Sequence, residues 1–260
     1  MGHEAFVHYE NEILSDDFYR DEFSKSSQVS APDFWRRFGG QPDFTRKRVL
    51  DFGSASGGMI HRLMEAGAAS AVGVDLDLGA SHYAKKRLRH EWGEKVEIII
   101  EDIRKVDFAP VDVIVSQNTM EHVSELEEVV AALLEKAKPG ADMYIGYAPL
   151  WYSPYGNHNC PKNKYPWQHL VLGDQYVLDA MHELLNRSYP TVAAAGFNCK
   201  TPQDFRRAFK RQSVEVVSLR RNAGSGGLRT MVNRLGLVPA TIPLLEKYFT
   251  TGMYWHLRKK

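Results

Sequence analysis

The sequence has 260 residues, of which 43% are hydrophobic and 25% are charged, and its formal net charge is +1 at pH 7. This composition is typical of a soluble globular protein, and the near-zero charge argues against a general binder of nucleic acid. Cys160 and Cys199 are too few and too far apart for a metal knuckle, and they favour a reducing compartment. No apolar run reaches the roughly 18 residues of a membrane span, and the N-terminus lacks a signal pattern, so we expect a cytoplasmic protein.

The N-terminal segment, residues 1–45, combines polar with aromatic side chains. Pro32-Asp33 predicts the start of a short helix, and Gly39-Gly40 predicts its end. We expect this segment to form a helical lid over the loop that follows it. The alternative is a helical cap on the hydrophobic core.

The region 46–148 alternates between strand and helix patterns. Strands are predicted at 47–52, 71–75, 95–100, 111–116 and 142–148, and helices at 57–66, 79–91 and 124–138. The last of these helices begins with a capping box, Ser124-x-x-Glu127, and is predicted to stop at Lys138-Pro139-Gly140. Alternation of this kind predicts a parallel sheet with helices on both faces.

The stretch from Val49 to Gly58 is predicted to form a strand, a tight glycine-rich turn and the start of a helix. Such a turn brings backbone N–H groups close to a ligand. Asp51, at the end of the strand, would repel a diphosphate, and no Lys-Ser or Lys-Thr follows, so the loop is not a P-loop. A ligand with an ammonium and a sulfonium group, such as S-adenosylmethionine, suits this acid better.

Further polar residues follow the other predicted strands. Because the carboxyl ends of parallel strands meet at one edge of the sheet, we expect Asp51, Asp75, Asp102 and Ser116 to lie together there. Asp75 lies 22 residues after Gly53, which is the spacing of one strand–helix–strand unit. Dinucleotide-binding enzymes share that spacing, so Asp75 alone does not discriminate between the two kinds of ligand.

The second half of the chain interrupts the alternation. Residues 149–170 contain several prolines and aromatic side chains. The patterns that follow predict helices at 173–187 and 202–210, strands at 213–221 and 247–258, and a glycine-rich turn at 224–227.

Five stretches, in chain order, resemble the motifs of class I S-adenosylmethionine-dependent methyltransferases. They are the loop at 49–57, Val72–Asp77, Glu101-Asp102-Ile103, the stretch Asp112–Asn118 with Met120-Glu121-His122-Val123, and Lys138-Pro139-Gly140. In the loop, Ala55 replaces the middle glycine of the family's first motif. Residues 149–170 resemble an insertion found after strand five in a bacterial subgroup of the family.

The resemblance implies an α/β fold with a doubly wound, seven-stranded, mostly parallel sheet and an antiparallel C-terminal strand. It also implies a single domain over residues 1–260. Its expected parts are the lid at 1–45, a cofactor-binding core at 46–148, a substrate-side insertion at 149–200 and a C-terminal sheet segment at 201–260.

The resemblance further implies S-adenosylmethionine as cofactor and S-adenosylhomocysteine as product. The acid Asp75 would take the ribose hydroxyls, and Asp102 would take the adenine amino group. The full set of expected cofactor-binding residues is Asp51, Gly53, Ser54, Ala55, Gly57, Asp75, Leu76, Asp102, Ile103, Ser116 and Gln117.

A hydroxyl acceptor needs a base as its proton leaves, and histidine suits that role near neutral pH. The candidates are His158 first, then His122 and His169, with Glu121 beside them. Some relatives bind a divalent metal through Glu-x-x-Glu-His and a later histidine. Asn118 replaces the first acid of that pattern here, so a metal is not expected.

Several readings of the function stay open at this stage. The leading one is O-methylation of a small molecule or glycan, and N-methylation is the nearest alternative. A nicotinamide-dependent oxidoreductase is a second enzyme class, although Gly53, Gly57 and Gly58 do not have its Gly-x-Gly-x-x-Gly spacing. A non-catalytic scaffold that binds S-adenosylmethionine is the third alternative. Nucleic acid is not an expected partner, and the oligomeric state is open.

Overall fold

The computed structural model describes residues 15–158, 160, 164–222 and 238–260. Seven strands form one sheet in the order β3-β2-β1-β4-β5-β7-β6. The strands are β1 Arg48–Phe52, β2 Ser70–Asp75, β3 Val96–Ile100, β4 Val111–Gln117, β5 Ala137–Tyr147, β6 Val214–Arg221 and β7 Met253–Lys259. The first five pair in parallel, and β7 runs antiparallel to both of its neighbours. The predicted fold class is confirmed.

Helices cover both faces of the sheet. They are α1 Asp16–Lys25, α2 Ala31–Phe38, α3 Gly58–Glu65, α4 Leu78–Trp92, α5 Leu126–Glu135, α6 Gln168–Leu172, α7 Asp174–Leu185, α8 Pro202–Lys210 and α9 Glu246–Phe249. Successive side chains of a strand point to opposite faces. Val49 of β1 therefore packs in one hydrophobic cluster with residues of α2, α3 and α4, while Leu50 and Phe52 pack in another with residues of α5 and α8.

The N-terminal helix is longer than predicted. A π-helical turn at Ser26–Ser30 joins α1 to α2, so the chain stays helical from Asp16 to Phe38 instead of starting a helix at Pro32. Proline cannot donate a backbone hydrogen bond to the turn before it, and a π turn at that point keeps the backbone helical. The end at Gly39 is as predicted, with φ of +96°.

The prediction for α5 and the start of β5 was wrong in two details. Helix α5 begins at Leu126 after Glu125, and no side-chain cap is formed, so Ser124 and Glu127 do not make a capping box. The residues Lys138-Pro139-Gly140 form an irregularity inside β5 rather than a turn before it. The register passes from Val111↔Ala137 to Val113↔Asp142 across this bulge.

The last strand starts later than predicted. Residues 246–249 form the short helix α9, and β7 begins at Met253. Asn222 after β6 determines this boundary, because its Oδ1 accepts from Thr251 N–H at 2.7 Å and its Nδ2 donates to the Phe249 carbonyl at 2.8 Å. The predicted glycine-rich turn at 224–227 and the first 14 residues of the predicted lid lie outside the described residues.

The segment 149–200 has a hydrophobic cluster of its own. It contains α6 and α7, and its buried members are Trp151, Cys160, Val177, Ala180, Met181, Val192, Ala195 and Phe197. This cluster is separate from the two that cover the sheet. The segment nevertheless reaches the carboxyl ends of the strands, where its Ala195 and Gly196 lie.

Candidate functional site

A cavity of about 480 Å³ lies at the carboxyl ends of β1, β2 and β4, where the strand order reverses between β1 and β4. Its volume is within the range of pockets for small molecules. Loops after these strands, helix α1 and part of the segment 149–200 form its walls. The lining residues are Glu22, Lys25, Ser26, Ser30, Asp51, Phe52, Gly53, Ser54, Ala55, Met59, Val74, Asp75, Leu76, Asp77, Glu101, Asp102, Ile103, Gln117, Asn118, Thr119, His122, Val123, Ala195 and Gly196.

Gly53 allows the loop after β1 to run directly against Thr119. Its φ is +80°, and a Cβ at this position would overlap with the Thr119 side chain. The Gly53 N–H donates to the Val74 carbonyl at 2.8 Å, which fixes the loop to β2. Ser54 and Ala55 then follow along the cavity wall.

Asp51 is buried at the floor of the cavity, with 2% of its surface exposed. Its Oδ2 finds no hydrogen-bond partner in the part of the chain that the structure describes. Burial, and then the charge of nearby Asp75, raise the pKa of Asp51 well above its usual value. A buried carboxylate without a partner is costly, so this position favours a ligand that brings a positive charge.

Asp75 holds two loops together at the end of β2. Its Oδ2 accepts from Ala55 N–H at 2.7 Å, and its Oδ1 accepts from Asp77 N–H at 2.8 Å. Burial raises the pKa of Asp75, and these backbone N–H groups oppose that effect. Leu76 is 41% exposed and offers an apolar wall next to it. This carboxylate is rigidly placed, as hydrogen bonding to a ribose would require.

Asp102 and Ile103 form the part of the wall that follows β3. Asp102 makes a bidentate ion pair with Arg104, with Nε 3.0 Å from both carboxylate oxygens. Burial would raise the pKa of Asp102, but the hydrogen bonds and charge of Arg104 outweigh it, and the pKa is lowered. Asp102 is therefore ionised near neutral pH and remains an acceptor.

Helix α1 brings an acid to the cavity that the sequence reasoning missed. Glu22 lines the wall together with Ser26 and Ser30, which lie one and two turns further along the same face. Burial, followed by the charges of Asp77 and Asp75, raises the pKa of Glu22 to about 7. The only sequence signal was its position three residues after Tyr19, on the side of α1 that is buried.

The end of β4 is attached to this helical run. Gln117 lines the cavity, and its Nε2 donates to the Ser30 carbonyl at 3.0 Å. Asn118 and Thr119, which the sequence did not single out for the cofactor, line the wall beyond it. Asn118 has φ of +53°, and the Thr119 hydroxyl donates to the Phe52 carbonyl at 3.2 Å.

His122 lies on the cavity wall in the short 3₁₀ turn after β4. Its Nδ1 is 2.6 Å from the carbonyl oxygen of Gly196, which also lines the cavity. A carbonyl can only accept, so Nδ1 carries the proton. The neutral ring then has its lone pair on Nε2, which is the nitrogen able to take a proton from a ligand.

His158 is next to His122, with their ring centroids 5.4 Å apart. It also packs edge-on against Phe197. Desolvation by this packing, and then His122, lower the pKa of His158 to about 4, although the residue has an exposed side. Its ring is therefore neutral at pH 7. His158 does not line the cavity described above, but it adjoins a residue that does.

Besides His158, four residues that the sequence pointed to are not on the cavity wall. Gly57 starts α3 with φ of +86°, where a Cβ would come within 2.6 Å of Leu88. Ser116 is fully buried within β4, and Glu121 is 5% exposed, with burial raising its pKa to about 7. His169 is fully buried in the segment 149–200, where its Nε2 lies 2.6 Å from the Trp151 carbonyl. This placement does not support His169 as a base.

Two further findings concern the residues that the structure describes. They include no group of three or more His, Cys, Asp or Glu residues arranged to hold a metal ion. None of their helices is long and apolar enough to span a membrane.

Part of the chain is similar to known methyltransferases. Residues 49–140 match a family described as a methyltransferase domain. The chain is 34% identical over 103 residues to the ubiquinone biosynthesis O-methyltransferase of Hahella chejuensis, a match that covers 38% of this chain and 42% of that protein. The matches extend over about half the length of the curated relatives.

Solved structures share the fold at low sequence identity. A Listeria monocytogenes protein, provisionally assigned as an S-adenosylmethionine-dependent methyltransferase, superimposes with a TM-score of 0.60 at 14% identity over 89% of this chain and 99% of its own. A phosphoethanolamine N-methyltransferase of Haemonchus contortus, solved with S-adenosylhomocysteine, gives 0.59 at 14% identity over 96% of this chain and 59% of its own. At these identities the likeness shows the fold.

Proposed function

We propose that this chain is a class I S-adenosylmethionine-dependent methyltransferase and that it transfers a methyl group from S-adenosylmethionine to a hydroxyl group of a small-molecule or glycan acceptor. One observation carries the proposal. The same cavity is lined by a group of carboxylates and by His122, whose Nδ1 is hydrogen bonded so that Nε2 keeps the lone pair.

The residues of the cavity fit the cofactor. S-adenosylmethionine has an ammonium, a sulfonium, a ribose and an adenine, and no phosphate. The buried Oδ2 of Asp51, which has no partner among the described residues, suits a cationic group, and Gly53 provides close approach to the backbone. Asp75 would hold the ribose hydroxyls, with Leu76 and Ile103 against the adenine and Asp102 accepting from its amino group.

The chemistry requires little of the protein beyond placement and a base. The cofactor supplies a methyl group that is already activated for in-line displacement. Holding donor and acceptor in line supplies much of the rate enhancement. We assign His122 Nε2 as the acceptor of the hydroxyl proton, with neutral His158 beside it as the second candidate.

A hydroxyl acceptor is favoured over an amine by two considerations. A histidine base is useful for a hydroxyl, which is a poor nucleophile until its proton leaves, and less so for a neutral amine, whose lone pair is already a good nucleophile. The relative from Hahella chejuensis, which is 34% identical over 103 residues, is named an O-methyltransferase. The segment 149–200 also has exposed aromatic side chains, Tyr155 and Tyr165, of the kind that stack on a ring-shaped acceptor.

Cofactor binding can be tested without knowing the acceptor. S-adenosylhomocysteine at about 100 times its Kd should stabilise the protein by about 2.7 kcal/mol, or about 5–10 °C in Tm. Asp75→Ala should remove most of that shift in a thermal-denaturation assay. Asp107→Ala, at a fully exposed acid, should keep it. No shift with the wild-type protein at millimolar ligand would contradict the proposal.

The base can be tested once a panel of phenols and sugars has yielded an acceptor. In His122→Asn the side-chain amide can still donate to the Gly196 carbonyl, but position 122 no longer has a base. We expect kcat to fall by about 10²–10⁴-fold with the Kd for S-adenosylhomocysteine unchanged. Methyl transfer would be followed by mass spectrometry. A kcat within about twofold of wild type would eliminate His122 as the base.

A further inference from the structure

Asn198 joins the segment 149–200 to the turn that carries His122. Its Nδ2 donates to the Met120 carbonyl and to the Val123 carbonyl, each at 2.8 Å. Its backbone N–H donates to the Glu121 carbonyl at 3.3 Å, and its Oδ1 accepts from Lys200 N–H at 3.0 Å. One side chain therefore closes around both ends of the Met120–Val123 turn and uses both hydrogens of its amide to do so.

The partner of His122 lies two residues before Asn198 in the chain. Gly196 has φ of +95°, and its carbonyl accepts from His122 Nδ1–H at 2.6 Å. The loop before it is fixed internally, because Gly196 N–H donates to Ala193 and Phe197 N–H donates to Val192, both at 3.0 Å. Phe197 is buried in the hydrophobic cluster of the segment. The position of the Gly196 carbonyl relative to His122 thus depends on how this loop is attached to the turn.

The attachment matters because a histidine has two neutral forms. Which nitrogen holds the proton is determined by the hydrogen bond that the other makes. In water, free histidine prefers the proton on Nε2, which leaves no lone pair there. The Gly196 carbonyl selects the opposite form, and that form is the one a base at the cavity needs.

We propose that Asn198 is the positioning residue for His122: by holding the loop 195–198 against the turn 120–123, it keeps the Gly196 carbonyl in place and so keeps the His122 lone pair on Nε2. The proposal rests on the proposed function in one respect, namely that His122 acts as the base. Its structural content, the tautomer of His122 and its dependence on Asn198, does not require any activity.

The test is the ¹⁵N NMR spectrum of the imidazole rings in histidine-labelled full-length protein at neutral pH. His122→Gln identifies the His122 signals by their loss. In wild type we expect His122 with Nδ1 protonated and Nε2 unprotonated. In Asn198→Asp the two amide donors are replaced by a carboxylate oxygen that repels the two carbonyls, and we expect the Nε2-protonated form to become the major one.

Two further variants make the test specific. Asn198→Ala removes both donors while keeping the backbone N–H to Glu121, and should shift the tautomer in the same direction. Asn186→Asp makes the same chemical change at an exposed residue of the same segment and should leave His122 as in wild type. The Asn198 and Asn186 variants should bind S-adenosylhomocysteine within about threefold of wild type by calorimetry, since neither residue lines the cavity.

The outcomes separate this proposal from the proposed function. Wild-type His122 with its proton on Nε2 would overturn the inference, as would an unchanged Nδ1-protonated ring in folded Asn198→Asp or Asn198→Ala. Failure of the wild-type protein to bind S-adenosylhomocysteine would overturn the proposed function and leave the tautomer result standing.

Discussion

At the scale of single residues, the charge inside the cavity depends on Glu22. Its carboxyl lies near Asp75 and Asp77, and burial together with these neighbours raises its pKa to about 7. In the folded protein without ligand, this raised pKa means that stability falls as pH rises from about 4.5 through about 7. A cationic ligand favours the ionised form and therefore binds more tightly at higher pH.

The first prediction concerns the pH dependence of ligand binding that Glu22 would cause. The affinity for S-adenosylmethionine should rise by up to about tenfold between pH 6 and pH 8 as Glu22 ionises. Glu22→Gln should flatten this rise, because a glutamine side chain does not ionise. The neighbouring charged residues Asp51, Asp75, Asp77 and Lys25 stay in place. Calorimetric titrations at a series of pH values would measure both slopes.

Asp21→Asn is the matched control, since Asp21 is exposed on the same helix. It should leave the pH dependence of binding unchanged. Equal slopes in wild type and Glu22→Gln would show that Glu22 does not couple to the cofactor.

The acids of the cavity show which site residues a sequence can reveal. Asp51, Asp75 and Asp102 were found because each lies within two residues of the end of a strand, and parallel strands bring their ends together whatever the details of packing. Glu22 and Gly196 were missed because their positions depend on how a helix and a distant loop pack against the sheet. His122 and His158 were both candidates, but nothing in the sequence indicated that their rings would be neighbours.

At the scale of elements, the boundaries that failed are those decided by tertiary contacts. The π turn before Pro32 extends the N-terminal helix, and the side chain of Asn222 delays β7 until Met253. The irregular Lys138–Gly140 stretch belongs to β5, where Lys138 Nζ donates to Asp112 at 2.6 Å. Propensity and turn signals were correct about the presence of these elements and wrong about their ends. The assignment of the N-terminal segment as a lid stays a prediction.

An ion-pair cluster fixes α9 to its neighbours. Glu246 is 7% exposed and bonds to Arg206 of α8 and Arg221 of β6, the latter at 2.8 Å. Arg206, and then Arg221, hold the pKa of Glu246 below its usual value despite burial. The cluster connects α9 to α8 and β6, whose arginines precede Glu246 by 40 and 25 residues in the chain.

The second prediction concerns this cluster. Glu246→Gln should lower the free energy of unfolding by about 1–3 kcal/mol near pH 7, because both arginines lose a partly buried partner. Since the folded-state pKa is lowered, the loss should be full above about pH 4.5 and should vanish as pH falls through the folded value. Urea unfolding at several pH values would measure it.

Glu215→Gln provides the comparison, as Glu215 is exposed on β6. Its effect should stay within about 0.5 kcal/mol. A Glu246→Gln loss that did not diminish on acidification would mean that packing, and not charge, accounts for the role of this residue.

At the scale of the whole molecule, the hydrophobic interior is divided into three clusters. Two of them cover the sheet, and the third lies inside the segment 149–200. A cluster with few buried residues supports a unit that opens at lower free energy than the sheet. We therefore expect Ala195 and Gly196, which line the cavity, to lie in the less stable part of the protein.

The third prediction tests that division by hydrogen exchange and mass spectrometry. Amides of α7 should exchange faster than those of β1 and β4. Val177→Ala removes buried methyl groups from the third cluster and should speed exchange in α7, with a loss of about 1–3 kcal/mol, while β1 and β4 stay protected. Val217→Ala, at an exposed position of β6, should change neither the exchange rate of α7 nor that of β1 and β4. Equal acceleration in all three elements would show a single cooperative unit.

The strand order also determines how the protein can be assembled on the ribosome. Each of β2 to β5 pairs with a strand that has already been synthesised, whereas β6 pairs only with β7, which is made later. At about 5–20 residues per second, β6 waits roughly 2–8 s after Arg221 for Lys259 to be added. During that interval Val216 and Val217 belong to a strand that has no partner among the described residues made so far, which exposes the nascent chain to aggregation at a late stage.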